Sequence, residues 1–240
     1  MKIEYYEHLA STNDEARAAA LLGAGPFYTV VAQSQSGGVG RMGRHFASPR
    51  GGTYFSTVLR PTFPLEKFGA ITPFAAVAVH RAITELMGVS PDIKWINDLL
   101  YRGKKVCGIL ATSGVDQNGK PFVILGIGIN TGNGNLPPEL EDIATTLPYG
   151  DIPRLVERIL HYLSAFESEI HNSTWLEYYR SYASCLGSAV TVIKGECSTR
   201  ATALDIDADG GLLVVYENGT REVLSGGEIS LRIAASGVAQ

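Results

Sequence analysis

The stretch 36-SGGVGRMGRHFASPRGG-52 decides how the rest of the chain is read. It contains Gly38-x-Gly40-x-x-Gly43, the glycine spacing of a dinucleotide-binding turn. Such a turn works only where it follows a strand, opens a helix and has an acidic residue about 20 positions on for the ribose hydroxyls. A strand candidate precedes it, 28-YTVVAQ-33, but Ser48-Pro49 and Gly51-Gly52 follow. Then comes 53-TYFSTVLR-60, whose β-branched and aromatic residues predict a second strand instead of a helix. No Asp or Glu lies between Glu15 and Glu66. The glycines therefore belong to a long loop between two strands. Arg41, Arg44 and Arg50, with no acid among them, predict that this loop holds an anion, because guanidinium forks suit carboxylate and phosphate and the glycines let backbone approach a ligand. It is not a phosphate loop of the Gly-Lys-Ser/Thr type. The bland alternative is a solvated loop whose arginines face water.

The bulk numbers narrow the class. With 240 residues, 45% hydrophobic and 18% charged, the chain has length for one substantial domain and a small one. A net charge of −4 excludes function by broad attraction to nucleic acid or anionic membrane, so anion binding must be local. Cys107, Cys185 and Cys197 are odd in number and far apart, which suggests neither a disulfide framework nor a zinc site. The start, MKIEYYEHLAST, lacks a basic region followed by an apolar one, and no run approaches the roughly 18 apolar residues of a membrane span. A cytoplasmic protein is expected.

Along the chain, 3-IEYY-6 predicts a strand, and Ser11 or Thr12 caps a helix through about Leu22, with Asp14 and Glu15 in its first turn. Apolar residues at 71, 74, 75, 78, 79, 82, 83 and 86 predict a core-facing helix. Strands follow at 92-DIKW-95, 98-DLLY-101, 105-KVCGILAT-112 and 121-PFVILGIGI-129, with turns at 102-RG-103 and 117-QNG-119. Two successive hairpins imply an antiparallel or mixed sheet. Helices are expected over 152–169 and 174–183, covering that sheet. After Leu186-Gly187 the texture becomes short alternating segments, 189-AVTVI-193, 199-TRATALDI-206, 212-LLVVY-216 and 220-TREVL-224, which predict a small β barrel.

A second cluster is 94-KWIND-98 followed by 103-GKKVCGIL-110. Taken singly, a Trp is usually core, Asn-Asp is often a turn, and Lys104-Lys105 beside Arg102 is often an exposed hairpin end. Together the loop 38-GVGRMGRHFASPRGGTYFS-56, the segment 94-KWINDLLYRGKKVCGIL-110, the strand 124-ILGIGIN-130 and the triplet Ser11-Thr12-Asn13 make a different case. In these segments the chain resembles the biotin protein ligases, also called biotin–acetyl-CoA-carboxylase ligases. The segment 226-GGEISLR-232 resembles the end of that family's small C-terminal SH3-like domain, so the likeness covers nearly the whole chain.

The resemblance implies an α+β catalytic domain over 1–186, related to class II aminoacyl-tRNA synthetases and lipoate ligases, and an SH3-like β barrel over 187–240. It also implies a reaction. The biotin carboxylate attacks the α-phosphorus of ATP to give biotinyl-5′-AMP and pyrophosphate, and a lysine of a biotin carboxyl carrier domain then displaces AMP. Two anions must meet, so cations aimed at the transition-state oxygens are needed, with Mg²⁺ sharing the task and no protein-only metal site expected. Lys105 is expected to bridge carboxylate and α-phosphate, and Arg41 to close its loop over the adenylate. Ser11, Thr12, Asn13 and Gln35 match the biotin ureido end, where a neutral ring needs neutral partners. Gly38, Val39, Gly40, Arg41, Lys105 and Gly108 complete the implied biotin site.

The implied ATP site is Arg41, Arg44, Phe46, Lys94, Trp95, Asn97 and Asn130, with Phe46 standing where the family usually has Trp. Asp98 is the implied relay for the incoming amine, which at an ordinary pKa of ~10.4 is neutral in only about one molecule in a few thousand at pH 7; metal or structural work is its alternative. Two departures stand out. The family's usual Gly-Arg-Gly-Arg is Gly38-Val39-Gly40-Arg41 here, one cation fewer, and Lys-Trp-Pro-Asn-Asp is Lys94-Trp95-Ile96-Asn97-Asp98. The N-terminal DNA-binding domain of some members is not expected, because a strand begins almost at once. Alternatives are a lipoate ligase and a noncatalytic biotin sensor. Relatives in the family pair through sheet edges, so a homodimer is one arrangement the resemblance allows.

Overall fold

Short β-branched and apolar runs in the first 130 residues resolve into a seven-stranded mixed sheet in the computed structural model, which describes residues 1–132, 136–170, 174–225 and 229–233. β1 (Lys2–Tyr6) runs parallel to β2 (Tyr28–Ala32), and helix α1 (Thr12–Leu21) connects them. Every other neighbouring pair is antiparallel. β3 (Thr53–Leu59) pairs with β2, and β4 (Asp92–Lys94), β5 (Asp98–Tyr101), β6 (Lys104–Val115) and β7 (Pro121–Ile129) follow helix α2 (Ile71–Met87). The order is β1-β2-β3-β7-β6-β5-β4, so β7 is inserted beside β3 at the centre.

The two sheet faces are filled differently. Val123, Leu125, Ile127 and Ile129 of β7 join Phe55, Ile109 and the apolar stripe of α2 in the main core. On that side lie helices α3 (Ile152–Ser164), α4 (Phe166–Glu169) and α5 (Thr174–Tyr182), with Trp175 and Tyr179 fully buried. On the opposite face lies α1, whose Ala16 and Ala20 pack on Val30, Val58, Phe122 and Ile124. Arg60 secures the far end of α1: its guanidinium donates to the carbonyls of Ala20 (3.0 Å) and Ala24 (2.8 Å) and pairs with the buried Asp116 (2.9 Å).

The helix expected over 152–169 is broken at Ala165. Ser164 and Ser168 turn their hydroxyls onto the carbonyls of His161 (2.7 Å) and Ala165 (2.9 Å), the local side-chain bonding that competes with helix continuation. The strand expected over 92–95 ends at Lys94, and Trp95–Asn97 form the turn into β5, with a cis Trp95–Ile96 bond. β8 (Ala189–Lys194), β9 (Cys197–Ile206), β10 (Leu212–Tyr216), β11 (Arg221–Leu224) and β12 (Ile229–Ile233) form a second, antiparallel sheet ordered β11-β10-β9-β8-β12. Four of these strands follow the expected segments, and the fifth lies in the 226–232 segment, of which residues 226–228 are outside the described residues. No described helix is long and apolar enough to cross a membrane.

Candidate functional site

One strand shows where a ligand fits. The residues of β7 that face α1 read Phe122, Ile124, Gly126, Gly128, and Asn130 follows the strand end. Large side chains stand where α1 covers the sheet, and glycines stand beyond its N-terminus. Gly108 of β6 lies directly opposite Gly128. A Cβ at Gly126 would collide with the Asn13 carboxamide; one at Gly128 would be 2.5 Å from the Phe46 ring and one at Gly108 2.9 Å from it. The glycines thus clear a platform on which the N-terminus of α1 and Phe46 rest.

Above this platform is a slot of about 60 Å³, lined by Ser11, Thr12, Asn13, Gln35, Val39, Gly40, Arg41, Phe46, Asn97, Lys105, Gly108, Ile109, Leu110, Gly126, Ile127 and Gly128. Its inner end is a neutral polar network. Gln35 Oε1 accepts from the Thr12 amide (2.8 Å) and hydroxyl (3.0 Å), and Gln35 Nε2 donates to Ser48 Oγ (2.9 Å). Ser56 Oγ lies 2.8 Å from Thr12 Oγ1 and 2.7 Å from Asn13 Oδ1. Ser11 caps α1 by accepting from the Asp14 amide (3.3 Å). Bonds of this kind fix rotamers in advance, so a small neutral ring would meet dipoles already oriented.

The loop between β2 and β3 folds over the mouth of the slot. Val39 and His45 form an isolated bridge, and Arg41–Gly43 make a single 3-10 turn in which Met42 takes a left-handed φ of 58°. Under this loop opens a larger cavity of about 310 Å³, lined by Gly40, Arg41, Met42, Arg44, His45, Phe46, Ala47, Lys94, Trp95, Asn97, Asp98, Lys105, Asn130, Leu136, Leu140, Ile143 and Ala144. Slot and cavity share Gly40, Arg41, Phe46, Asn97 and Lys105.

Charge is concentrated at that junction. Lys105 Nζ donates to Asp98 Oδ1 (2.7 Å) and sits 5.6 Å from the centre of the Phe46 ring. Arg41 Nη1 donates to Asn97 Oδ1 (3.2 Å), while Asn97 Nδ2 donates to the Ile109 carbonyl (3.1 Å). Burial lowers the Arg41 pKa, nearby Asp98 works against that, and Arg44 adds to it. The residue is a partly desolvated cation, which strengthens its field on any anion brought beside it. Lys94 lies opposite Asp98 in the β4–β5 ladder, and Asn130 Nδ2 donates to the Lys105 carbonyl (3.3 Å).

Of the residues singled out in the sequence, Ser11, Thr12, Asn13, Gln35, Val39, Gly40, Arg41, Lys105 and Gly108 line the slot. Arg41, Arg44, Phe46, Lys94, Trp95, Asn97, Asp98, Lys105 and Asn130 line the cavity. Gly38 lines neither; the place of its side chain is taken by the Phe46 carbonyl and the Ser48 hydroxyl. Sequence reading missed Gly126 and Gly128, although two alternate glycines within an apolar strand signal a close approach. It also missed the apolar wall Leu136, Leu140 and Ile143. That wall is held by the backbone of Lys105, which donates to the Ile143 carbonyl (2.9 Å) and accepts from the Thr145 amide (3.0 Å).

Residues 25–130 match the Biotin/lipoate A/B protein ligase family, and residues 185–232 match the Biotin protein ligase C terminal domain. The chain is 36% identical over 232 residues to the bifunctional ligase/repressor BirA of Bacillus subtilis, covering 92% of this chain and 71% of that protein. It is 31% identical over 242 residues to the biotin–[acetyl-CoA-carboxylase] ligase of Mycobacterium tuberculosis, covering 95% and 88%. In structure it is similar to the biotin protein ligase of Aquifex aeolicus in complex with biotin and ATP, with a TM-score of 0.79, 26% identity, and 97% and 99% of the two chains covered. The biotin protein ligase of Leishmania major in complex with biotinyl-5-AMP gives 0.67, at 25% identity and 94% and 99% coverage.

Proposed function

The chain belongs to the biotin protein ligase family, and from that premise we propose that it joins biotin to a lysine of a biotin carboxyl carrier domain through biotinyl-5′-AMP. The observation that carries this reading is the junction: a neutral slot and a cation-lined cavity open onto the same Lys105 and Arg41. Biotin has a neutral ring and a carboxylate at the end of a flexible chain. With the ureido group held by Thr12, Asn13 and Gln35 in the slot, its carboxylate reaches Lys105. ATP in the larger cavity then brings its α-phosphate to the same ammonium.

Lys105 lowers the repulsion between the two anions and stabilises the charge that builds on the phosphorus oxygens as the carboxylate oxygen attacks and pyrophosphate leaves. Arg41, on the covering loop, holds the acyl-adenylate against water. Arg44 and Lys94 balance the phosphates, and Leu136, Leu140 and Ile143 give the base an apolar wall. In transfer, the carrier amine attacks the acyl carbonyl, AMP departs, and Asp98 attracts the amine and takes its proton. Asp98 is already 2.7 Å from Lys105, so a cation at this spot has a carboxylate partner.

Mg²⁺ fits as a companion of the triphosphate. Among the described residues the cavity presents one carboxylate, Asp98, which suits an ion that keeps most of its oxygen ligands from phosphate and water. When bound, it would screen the phosphate charge. The buried Cys107 and Cys185 fit reaction in the reducing cytoplasm. The test is the mass of a biotin carboxyl carrier domain after incubation with the protein, ATP, Mg²⁺ and biotin. A gain of one biotinyl group is expected, and none when lipoate replaces biotin; an unaltered carrier with all components present overturns the proposal.

A further inference from the structure

Resting on the ligase reading, we infer that the turn between β9 and β10, Asp207–Gly211, is a positioning element of the nucleotide cavity, acting through Trp95. The Trp95 indole is buried and forms part of the cavity wall, so its N–H must find an acceptor inside the protein. That acceptor is not in the first sheet. It is the carbonyl of Gly210, 2.9 Å away in the second sheet.

The turn that carries this carbonyl is rigid and seated. Asp207 Oδ1 accepts from the amides of Asp209 (2.9 Å) and Gly211 (2.7 Å), which closes the loop on itself. Gly210 has a φ of +82°, and a Cβ there would lie 2.5 Å from Pro73 Cγ in α2. Asp209 pairs with Lys67 at 2.5 Å. At the base of the turn, Arg180 of α5 pairs with Asp205 (2.7 Å) and donates to the Ile206 carbonyl (3.1 Å). The chain entering the second sheet also grips the strand before Trp95, because the Ser184 amide donates to the Ile93 carbonyl (2.9 Å).

The consequence is selective. Lys94 and Trp95 border the larger cavity and not the slot, whose floor comes from α1, β6 and β7. Loosening the turn should therefore weaken nucleotide binding and leave biotin binding alone.

The experiment is biotin-dependent exchange of labelled pyrophosphate into ATP by the full chain, with KM for ATP and for biotin measured separately and the melting temperature recorded. Trp95→Phe keeps an aromatic wall and removes the donor. Gly210→Ala pushes the turn off Pro73, and Lys67→Ala loosens it from the surface without touching Trp95. Loss of one hydrogen bond corresponds to a rise in KM for ATP of about three- to tenfold in Trp95→Phe. Smaller rises in the same direction are expected in the other two, with KM for biotin within about twofold throughout. Equal rises in both KM values overturn the inference, and so does a falling melting temperature with KM for ATP unmoved. A rise confined to Trp95→Phe also overturns it, since the ring would then act without the turn. Absence of exchange in the unaltered protein would instead remove the ligase reading.

Discussion

The slot and the cavity share five residues, yet they are built on opposite principles. The slot is narrow and its recognition groups are neutral, prearranged by Gln35, Ser48 and Ser56 on a floor of glycines. The cavity is wider, with Arg41, Arg44, Lys94 and Lys105 around an apolar wall. The difference teaches how one enzyme separates choosing a substrate from activating it. On the proposed reading, fixed dipoles and shape would select the ring, and charge is held back to the junction where the bond would be made.

Four substitutions break or sharpen that contrast. The largest effect is expected from Asp98→Asn, which keeps an oxygen for Lys105 and removes the carboxylate: transfer to the carrier should fall by about 10²-fold or more, and pyrophosphate exchange by much less. Comparable losses in both half-reactions would assign Asp98 to adenylation instead. Next is Gly126→Ala, whose methyl group falls on Asn13. An overpacking cost of about 1–3 kcal/mol predicts a KM for biotin raised about 5- to 150-fold, with KM for ATP unchanged. Equal changes in the two constants would dissolve the division between slot and cavity.

Arg44→Ala probes the other side. Arg44 is exposed, so the expected rise in KM for ATP is only about two- to fivefold and should shrink as salt is added; an effect on biotin binding would contradict its placement. The smallest effect on activity is expected at His80, buried on α2 against Tyr178 and Tyr182 of α5 and outside both cavities. Burial pushes its pKa down to about 4, with Tyr178 Oη 2.9 Å from Nδ1. The unfolded chain therefore takes up the proton first as pH falls, so the stability held above about pH 6.5 is lost progressively towards pH 4. His80→Phe should flatten that part of the melting-temperature profile without moving either KM. An unchanged profile would mean that other groups set the acid limb.

Much of the fold was legible because its periodicities are strong. The hairpins of 92–129 carry Gly and Asn turns between apolar runs, and the stripe of α2 repeats for four turns. The break at Ala165 was not legible, since apolar spacing continues through it and only the serine hydroxyls mark the change. Arg41 and Arg44 stand out as arginines without acids, whereas Lys105, one of two lysines at a hairpin end, stands out only through the family resemblance. The apolar wall of Leu136, Leu140 and Ile143 has helical spacing over barely two turns, but Pro137-Pro138 interrupts it and only a 3-10 turn forms there, so its place in the site rests on backbone bonds to Lys105 that spacing does not encode. The Trp95–Gly210 bond spans 115 positions and two sheets, a pairing that spacing along the chain does not encode.

The junction itself is tested most directly by pyrophosphate exchange in Lys105→Ala. The account predicts that the unaltered protein exchanges label into ATP only when biotin is present, and that the variant loses about 10²- to 10³-fold of that rate while staying folded. Exchange that needs no biotin, or that survives undiminished without the lysine ammonium, would contradict it.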